Sequence, residues 1–321
     1  MRGTAPPFAT GRILRKTERV TAMKKSICYF YVVFGAACWG FIGLFNRMLG
    51  DVGVSVGTRV TVRNLFALVL LTVIFGLFHR QVFHIQARHL PIFLGAGILS
   101  VLGMAVAYFQ CQMLCSLAVA GVLLYLAPSF VVLMSAALWR APITKRKLAA
   151  LALALLGCAF VSGIAGGGLT VSLGGILLGV AAGFCYATYT IFAHYGLQHY
   201  DSYTMTYWTF MFAGIGSLFF LKPAELPLVF ASSRGVLGML GLVVVSTVLP
   251  YIFYTKGLEG VESGKASIIA NVEPVVGALL GVLVFHETLD AWTVLGIVCV
   301  LGGVILLAGG EKAVEQAAAA Q

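Results

Sequence analysis

Ten apolar runs, joined by short connections, make up most of this sequence of 321 residues. A helix needs about 20 apolar residues to cross the hydrocarbon core of a bilayer, and each run has about that length. The connections, of which 222–234 is among the longest, are too short to hold a domain outside the bilayer. The sequence therefore predicts an all-α integral membrane protein with ten transmembrane helices, at 27–45, 58–78, 91–109, 117–139, 148–164, 171–193, 203–221, 235–255, 266–285 and 291–307.

The composition supports this fold class and excludes others. Hydrophobic residues make up 60% of the chain and charged residues 10%, whereas soluble domains carry about 25% charged residues. A soluble enzyme, a nucleic-acid-binding domain and a disordered protein are therefore excluded. The net charge of +10 predicts no nucleic-acid partner, because the basic residues cluster in the N-terminal tail and a few connections. Membrane lipids are the expected surroundings.

The basic residues predict the orientation, since cytoplasmic connections are enriched in Lys and Arg. With the N-terminus inside, 16 of the 21 Lys and Arg residues lie on the cytoplasmic side and four on the other. Both termini are therefore expected in the cytoplasm, and the cell (inner) membrane is the expected location. Residues 1–25 form a basic tail, in which Met23, just before Lys24 and Lys25, resembles a true start. Residues 1–22 are then either a mis-called start or a tail without regular structure.

An internal repeat becomes visible when the chain is shifted by 146 residues. The halves are 26–164 and 171–309, followed by a tail at 310–321, and each half holds five predicted helices. Because five is odd, the second half enters the membrane from the opposite side, which makes the repeats inverted. Inverted repeats are typical of secondary transporters, which bind substrate near the midplane between the repeats. Matching pairs are Gly95 and Gly241, Tyr108 and Tyr254, Pro128 and Pro274, Gly157 and Gly303, and Gly163 and Gly309.

The second half also carries the motifs of a known family, which include Glu273-Pro274 and a glutamate at Glu287. Together with Arg63 in the first half, they make the chain resemble the EamA-type transporters of the drug/metabolite transporter superfamily over 26–309. The resemblance implies ten helices in two inverted repeats and movement of small metabolites. The first half departs from it, with Ala141 where the family usually has the glutamate that matches Glu287. The motifs are Ala266-Ser267, Glu273-Pro274, Gly277-Ala278-Leu279-Leu280-Gly281, His286-Glu287-Thr288-Leu289, Gly296, Gly302-Gly303 and Trp39-Gly40.

Ionisable side chains inside a membrane are costly and usually mark functional sites. Two lie clearly inside predicted spans, Glu273 just before Pro274 in the ninth and Arg63 in the second. Glu273 is either a carboxylate that binds a proton or an amine, or a structural or gating residue beside a helix loosened by proline. Arg63 is expected to be structural, because it can snorkel to the interface or cap a neighbouring helix. Pro128 and Glu287 join the same gating or structural group.

Aromatic and amide side chains at the seams of the repeat form a second candidate group, for a substrate cavity. They suit a zwitterionic or moderately polar organic solute. The alternative is an interfacial belt, where Tyr and Trp are enriched. The two pairs 186/189 and 251/254 each share a helix face, because residues three apart are neighbours on a helix. The candidates are Trp39, Tyr108, Tyr125, Tyr186, Tyr189, Tyr251, Tyr254 and Asn271.

Asn271 and Glu273 are two residues apart, which is about 200° around a regular helix. This angle predicts different faces for the two side chains, unless Pro274 distorts the turn. It favours Glu273 as a gate or a helix tie rather than a ligand. We therefore expect Glu273→Gln to change the transport rate or its pH dependence, and Trp39→Ala or Tyr186→Ala to weaken substrate affinity.

The leading hypothesis from the sequence is a secondary active transporter, a permease that exports a small metabolite such as an amino acid by alternating access. Its driving force would be a proton or a counter-substrate gradient, because the sequence contains no Walker A loop. The alternatives are a nucleotide-sugar-type antiporter of the same fold, a membrane enzyme and a non-transporting subunit. No predicted span holds two charged groups in its interior, and the cysteines form no metal-binding spacing. No enzyme activity, metal or cofactor is therefore predicted.

Overall fold

The computed structural model describes residues 25–164, 170–286 and 290–319, and the side chains of 26–164, 170–286 and 290–307. This part of the chain is helical and contains no strand. The tail at 1–22 and Glu287 lie outside the described residues, so what the sequence indicates about them stays a prediction.

A helix occupies each of the ten predicted spans. They are numbered here in chain order, and short 3-10 turns at Arg80–Phe83 and Pro223–Glu225 lie in the connections. The helices are α1 Ser26–Asp51, α2 Val56–Phe78, α3 Ala87–Leu114, α4 Leu117–Trp139, α5 Lys145–Val161, α6 Leu173–Gly196, α7 Ser202–Phe220, α8 Ser233–Gly257, α9 Ser263–Phe285 and α10 Ala291–Ala319.

Seven of the helices in the described ranges are long and apolar enough to cross a membrane. Helix α7 makes an eighth if it is counted with the segment Pro223–Phe230, from which it is bent by 97°. Helix α5 has 17 residues and begins with three basic residues, and the apolar segment Ala291–Leu307 of α10 is equally short. The positions of the ten predicted helices are therefore matched, whereas α5 and α10 are shorter than a regular span.

The helices run alternately between two faces of the molecule. The N-terminal face carries the start of α1 and the connections before α3, α5, α7 and α9, and here Lys147 forms an ion pair with Glu262. The opposite face carries the connections before the even-numbered helices, and here the ring of Phe160 packs against Trp292. Helix α1 thus starts at one face and α6 at the other. The second set of five helices is inverted relative to the first.

Two glycine–phenylalanine contacts show how the halves pack on each other. A Cβ atom on Gly95 in α3 would lie 2.2 Å from the ring of Phe192 in α6, and one on Gly241 in α8 would lie 2.1 Å from the ring of Phe45 in α1. Gly241 is the repeat counterpart of Gly95, and Phe192 that of Phe45. The two contacts are therefore one contact made twice with exchanged partners, as a two-fold axis between inverted repeats requires.

Irregular helix occurs at equivalent places in the two halves. Helix α4 is interrupted just before Ala127 and helix α9 just before Val272, each within two residues of its proline. Proline has no backbone N–H and crowds the preceding turn, which explains the interruptions. Helices α3 and α8 contain the π-helical segments Gly95–Gly103 and Gly241–Val248. Inside a membrane such irregular backbone is tolerated where it is buried in protein or lines a cavity.

Candidate functional site

A cavity lies at the seam between the two halves, where the interrupted parts of α4 and α9 face α1, α6 and α8. In this conformation it is small, with a volume of about 20 Å³. Aromatic and small apolar side chains form most of the wall, and a few polar groups lie between them. The lining residues are Trp39, Tyr125, Ala127, Pro128, Val131, Tyr186, Ala187, Tyr189, Thr190, Tyr254, Ser267, Ala270, Asn271 and Glu273.

Asn271 and Glu273 both line this cavity. Different faces were expected unless Pro274 distorted the turn. Helix α9 is interrupted at Ala270 and Asn271, just before this proline, so the exception applies and the rotation of a regular helix does not hold there. The hydroxyl of Tyr186 in α6 donates a hydrogen bond to Oε2 of Glu273 over 3.1 Å. The second half therefore holds an amide and a carboxylate side by side in the cavity wall.

The first half does not repeat this pair. The counterpart of Asn271 is Tyr125, and the counterpart of Glu273 is Ala127. All four residues line the cavity. The scaffold is thus two-fold, but the amide and the carboxylate are on one half only.

Trp39 in α1 lies at the centre of an aromatic cluster that forms one wall, and it is only 4% exposed. Its ring centroid is 6.1 Å from that of Tyr186, 5.4 Å from that of Tyr251 and 5.1 Å from that of Tyr254. The first two pairs are edge-to-face, an arrangement that aromatic rings prefer. Tyr251 also packs edge-to-face on Tyr189, with 4.9 Å between the ring centroids. Tyr251 therefore supports the wall from behind and does not line the cavity itself.

Two pairs of hydroxyl groups fix the α6 and α8 sides of the cavity. The hydroxyl of Tyr189 lies 2.6 Å from Oγ1 of Thr255, and Oγ1 of Thr190 lies 2.9 Å from the hydroxyl of Tyr254. All four residues are buried. Because an unpaired buried hydroxyl is costly, these bonds hold the tyrosine rings in one arrangement. This side of the wall is thus formed before any solute arrives.

Arg63 in α2 lies outside the lining. It is half-buried, its Nε donates to Oδ1 of Asn64 over 3.4 Å, and its Nη2 is buried without a hydrogen-bond partner. The guanidinium is therefore directed into the helix bundle and not to the membrane interface.

Two other predicted residues also lie outside the lining. Tyr108 packs against a small apolar cluster around Cys111 and Val119. Pro274 is buried in α9 next to Glu273. Within the described ranges, no group of three His, Cys, Asp or Glu side chains is placed to hold a metal ion.

Sequence reasoning missed two polar residues of the wall, Thr190 and Ser267. Thr190 is four residues after Tyr186, and Ser267 is four residues before Asn271. Residues four apart share a helix face, so the spacing to residues already predicted could have found both.

The chain matches the family described as "EamA-like transporter family" at 26–163 and again at 173–309. It belongs to the EamA-like transporter family. The resemblance drawn from Glu273-Pro274 and the neighbouring glycine motifs is thereby confirmed. With seven or more apolar helices, this EamA-like protein is a multi-pass membrane protein and a transporter.

Similar proteins also carry transporter names. An uncharacterized transporter of Archaeoglobus fulgidus is 28% identical over 277 residues, which are 86% of this chain and 94% of that protein. A second one from the same organism is 30% identical over 70% of this chain and 79% of its own length. The uncharacterized inner membrane transporter YicL of Salmonella typhimurium is 30% identical over 43% of this chain and 46% of its own length. A protein solved as a crystal structure shares the fold, with a TM-score of 0.75 and 16% identity over 88% of this chain and 97% of that one.

Proposed function

We propose that this EamA-like protein is a secondary active transporter that moves a small polar organic solute, such as an amino acid, out of the cell by alternating access. The cavity between the inverted halves carries this proposal, because it combines a carboxylate, an amide and an aromatic wall. The seam between repeats is where secondary transporters bind their substrates. A transporter of this kind changes the side on which the solute lies and catalyses no reaction.

We place the N-terminal face in the cytoplasm, because the tail and the connections at this face hold 16 of the 21 Lys and Arg residues. Residues 26–164 and 171–309 are then the two repeat units in the cell (inner) membrane. The tails at 1–25 and 310–321 are both cytoplasmic.

In this proposal the solute lies between the aromatic wall and the carboxylate of Glu273. Tyr186 connects the two, because its hydroxyl donates to Glu273 and its ring packs edge-to-face with Trp39. A carboxylate stabilises an ammonium group that lies beside it, and aromatic faces attract cations. The solute is therefore expected to present an amino group at this end of the cavity.

Contacts between the two halves join them at the N-terminal face. The hydroxyl of Tyr200 accepts a hydrogen bond from the backbone N–H of Gln86 over 2.9 Å and lies 2.9 Å from Nδ1 of His89. The ring of His89 stacks on that of His199, with centroids 4.2 Å apart. Gln86 and His89 belong to the first half, Tyr200 and His199 to the second. These four residues are named the N-terminal latch.

A second set of contacts lies at the opposite face. Asp51 forms an ion pair with Arg234, and Glu225 accepts hydrogen bonds from the backbone N–H and the Oγ of Ser55, over 2.9 Å and 2.6 Å. The two connections that meet here are the repeat counterparts of those that meet in the N-terminal latch. These four residues are named the opposite latch. In alternating access one latch would open while the other stays closed.

Glu273 could also couple movement of the solute to movement of a proton, since it is the only acidic residue inside the predicted spans. Its carboxylate cannot hold a proton and pair with an ammonium group at the same time. Competition between the two therefore links outward movement of the solute to inward movement of a proton. A counter-substrate with an amino group would compete in the same way.

The test uses the purified full chain in proteoliposomes, with labelled amino acids and an imposed pH gradient. Trp39→Ala should weaken the apparent affinity about tenfold, the equivalent of about 1.4 kcal/mol, because it removes the central ring of the wall. Glu273→Gln should remove the dependence on the pH gradient. Phe219→Ala is the control, since this aromatic side chain is 89% exposed and far from the cavity. Solute movement no faster than in protein-free liposomes would contradict the proposed function.

A further inference from the structure

Two neighbouring residues of α2 each leave a hydrogen-bond donor without a partner. Nη2 of Arg63 and Nδ2 of Asn64 are both buried, and neither is bonded within the part of the chain that the structure describes. The Asn64 side chain is 0% exposed, and a Cβ atom on Gly214 in α7 would lie 3.3 Å from the backbone oxygen of Asn64. Buried donors without a partner are rare in folded proteins, because each has lost its bonds to water and gained none. The two donors therefore need an acceptor.

The two donors belong to one connected group. Nε of Arg63 donates to Oδ1 of Asn64 over 3.4 Å. This bond fixes the orientation of the amide, because its NH2 group would otherwise face another donor. Nη2 shares its carbon atom with Nε, and Nδ2 shares its carbon atom with Oδ1. The unpaired donors are thus attached to the two ends of a single hydrogen bond.

The other polar groups of this part of α2 are bonded to protein. Thr61 Oγ1 donates to the backbone oxygen of Ser217 over 2.6 Å, and Thr58 Oγ1 accepts from the backbone N–H of Lys222 over 3.3 Å. Nη1 of Arg59, one turn closer to the opposite face, donates to the backbone oxygen of Asn46 over 2.7 Å. Among the fully buried polar residues of α2, Asn64 therefore differs from both threonines in having a donor to spare.

Arg63 also carries a positive charge that is not paired. Arginine stays protonated in proteins, and charged residues inside a membrane normally pair with an opposite charge. None of the ion pairs among the described residues includes Arg63. Glu273, the only acidic residue inside the predicted spans, instead accepts a hydrogen bond from Tyr186. A water molecule would serve the donors but would leave this charge uncompensated, whereas an anion serves both needs.

We propose that Arg63 and Asn64 bind a small inorganic anion such as chloride, held by Nη2 of Arg63 and Nδ2 of Asn64. A monatomic anion accepts hydrogen bonds from several directions, and its charge compensates that of the guanidinium. Neither residue lines the central cavity. The counterparts of Arg63 and Asn64 in the second half are Thr209 and Phe210, which carry no charge, so the repeat supplies one such site. The inference goes beyond the proposed transport function and does not depend on it.

The experiment uses the purified full chain in detergent, with chloride titrated against gluconate at constant ionic strength. The midpoint of thermal unfolding measures the effect of chloride on stability, and radioactive chloride measures binding. Wild type is compared with Arg63→Gln, which removes the charge, and with Asn64→Asp, which supplies a carboxylate beside the guanidinium. The control is Arg80→Gln, because Arg80 is exposed and its Nε donates to the backbone oxygen of Gly76.

The wild-type midpoint should rise with chloride and then level off, because a ligand that binds only the folded state stabilises it by mass action. Bromide should replace chloride in this effect. Arg63→Gln should weaken the apparent affinity for chloride at least about tenfold, as expected for loss of a hydrogen bond to a charged group. Arg80→Gln should respond to chloride as wild type does.

Asn64→Asp tests the inference even if Arg63→Gln folds poorly. Its carboxylate can form a charge-assisted pair with the guanidinium and so replace the anion. This variant should bind no chloride, and in gluconate its midpoint should equal or exceed that of wild type in saturating chloride.

Two results would overturn the inference. One is a wild-type midpoint that does not depend on chloride, which would mean that the donors bind water or nothing. The other is an equal chloride response in wild type and Asn64→Asp, which would mean that chloride binds elsewhere. Neither result bears on the proposed transport function, because that function is tested by movement of solute in proteoliposomes.

Discussion

Gly157 in α5 lies directly against Gly296 in α10, backbone to backbone. A Cβ atom on Gly157 would lie 2.6 Å from the carbonyl oxygen of Gly296, and one on Gly296 would lie 2.7 Å from that of Gly157. Small residues of this kind allow helices in a membrane to approach closely and gain dispersion contacts. The two shortest predicted spans thus stabilise each other.

Gly157→Ala and Gly296→Ala should each destabilise the protein by about 1–3 kcal/mol, because the helices must move apart to admit a methyl group. The matched control is Gly302→Ala in the same helix α10, where a Cβ atom would meet nothing within 4 Å. The midpoint of thermal unfolding in detergent measures the effect. Equal midpoints for Gly157→Ala and Gly302→Ala would show that the α5–α10 contact does not stabilise the fold.

Glu225 gives the opposite latch a defined pH response. It lies in the connection between α7 and α8, and hydrogen bonds from Ser55 lower the pKa of its carboxyl to about 2. Because the folded-state pKa is below the ordinary value of about 4.3, the ionised carboxylate stabilises the fold above that value. This stabilisation is lost as the pH falls from about 4.3 through about 2.

Glu225→Gln should therefore lower the unfolding midpoint at pH 7, and its difference from wild type should shrink as the pH approaches 3. Between pH 5 and pH 8 the difference should be constant. A difference that changes within this range would mean that Glu225 titrates near neutrality, which contradicts the assigned hydrogen bonds.

Variants of the two latches should shift the balance between the two open conformations in opposite directions. Tyr200→Phe removes the hydroxyl that bonds to Gln86 and His89, and should favour opening at the N-terminal face. Asp51→Asn removes the charge that pairs with Arg234, and should favour opening at the opposite face. Distances between pairs of spin labels placed across each face would measure both shifts.

Lys222→Ala is the control for the latch experiment. The ammonium group of Lys222 lies 3.6 Å from Glu225, but its side chain is 66% exposed. Exposed ion pairs contribute about 0–1 kcal/mol, so this variant should leave both distance distributions unchanged. Identical shifts from Tyr200→Phe and Asp51→Asn would be incompatible with alternating access through these latches.

Arg140 and His286 occupy equivalent helix ends with the same left-handed backbone, at φ of 54° and 55°. Both side chains are exposed. This conformation costs a residue with a Cβ atom about 1–2 kcal/mol, whereas glycine adopts it readily. His286→Gly should therefore raise stability by up to about 1 kcal/mol after the greater freedom of unfolded glycine is subtracted. His286→Ala, which keeps the Cβ atom, should not raise the unfolding midpoint.

The positions of the helices and the repeat were predictable from the sequence for different reasons. Apolar length places the helices, because the bilayer sets a common thickness. The repeat is visible in the sequence because close contacts allow only glycine at a few equivalent positions. Gly95 lies under the ring of Phe192, and Gly241 lies under that of Phe45. The place of Trp39 in the cavity wall was also predictable, because it is an aromatic residue in the middle of a span.

Other features of the site depend on three-dimensional detail that spacing does not carry. The shared orientation of Asn271 and Glu273 arises from the interruption of α9, whereas an angle per residue assumes an unbroken helix. The inward direction of Arg63, whose Nη2 is buried, depends on the packing of the helices around it. The N-terminal latch joins Gln86 to Tyr200, which are 114 residues apart in the chain. No local sequence pattern predicts a contact over such a separation.

Because the first half has Ala127 where the second has Glu273, the lining of the cavity holds a single carboxylate. In the proposed exchange, one turnover would move one proton inward for one solute molecule outward. When that solute has no net charge, each such exchange would carry one net positive charge across the membrane. The membrane voltage would therefore drive the cycle together with the pH difference, by about 2.3 kcal/mol for every 100 mV. Under this proposal, transport should generate an electric current, and a cavity with one carboxylate on each half would double the charge moved in each turnover.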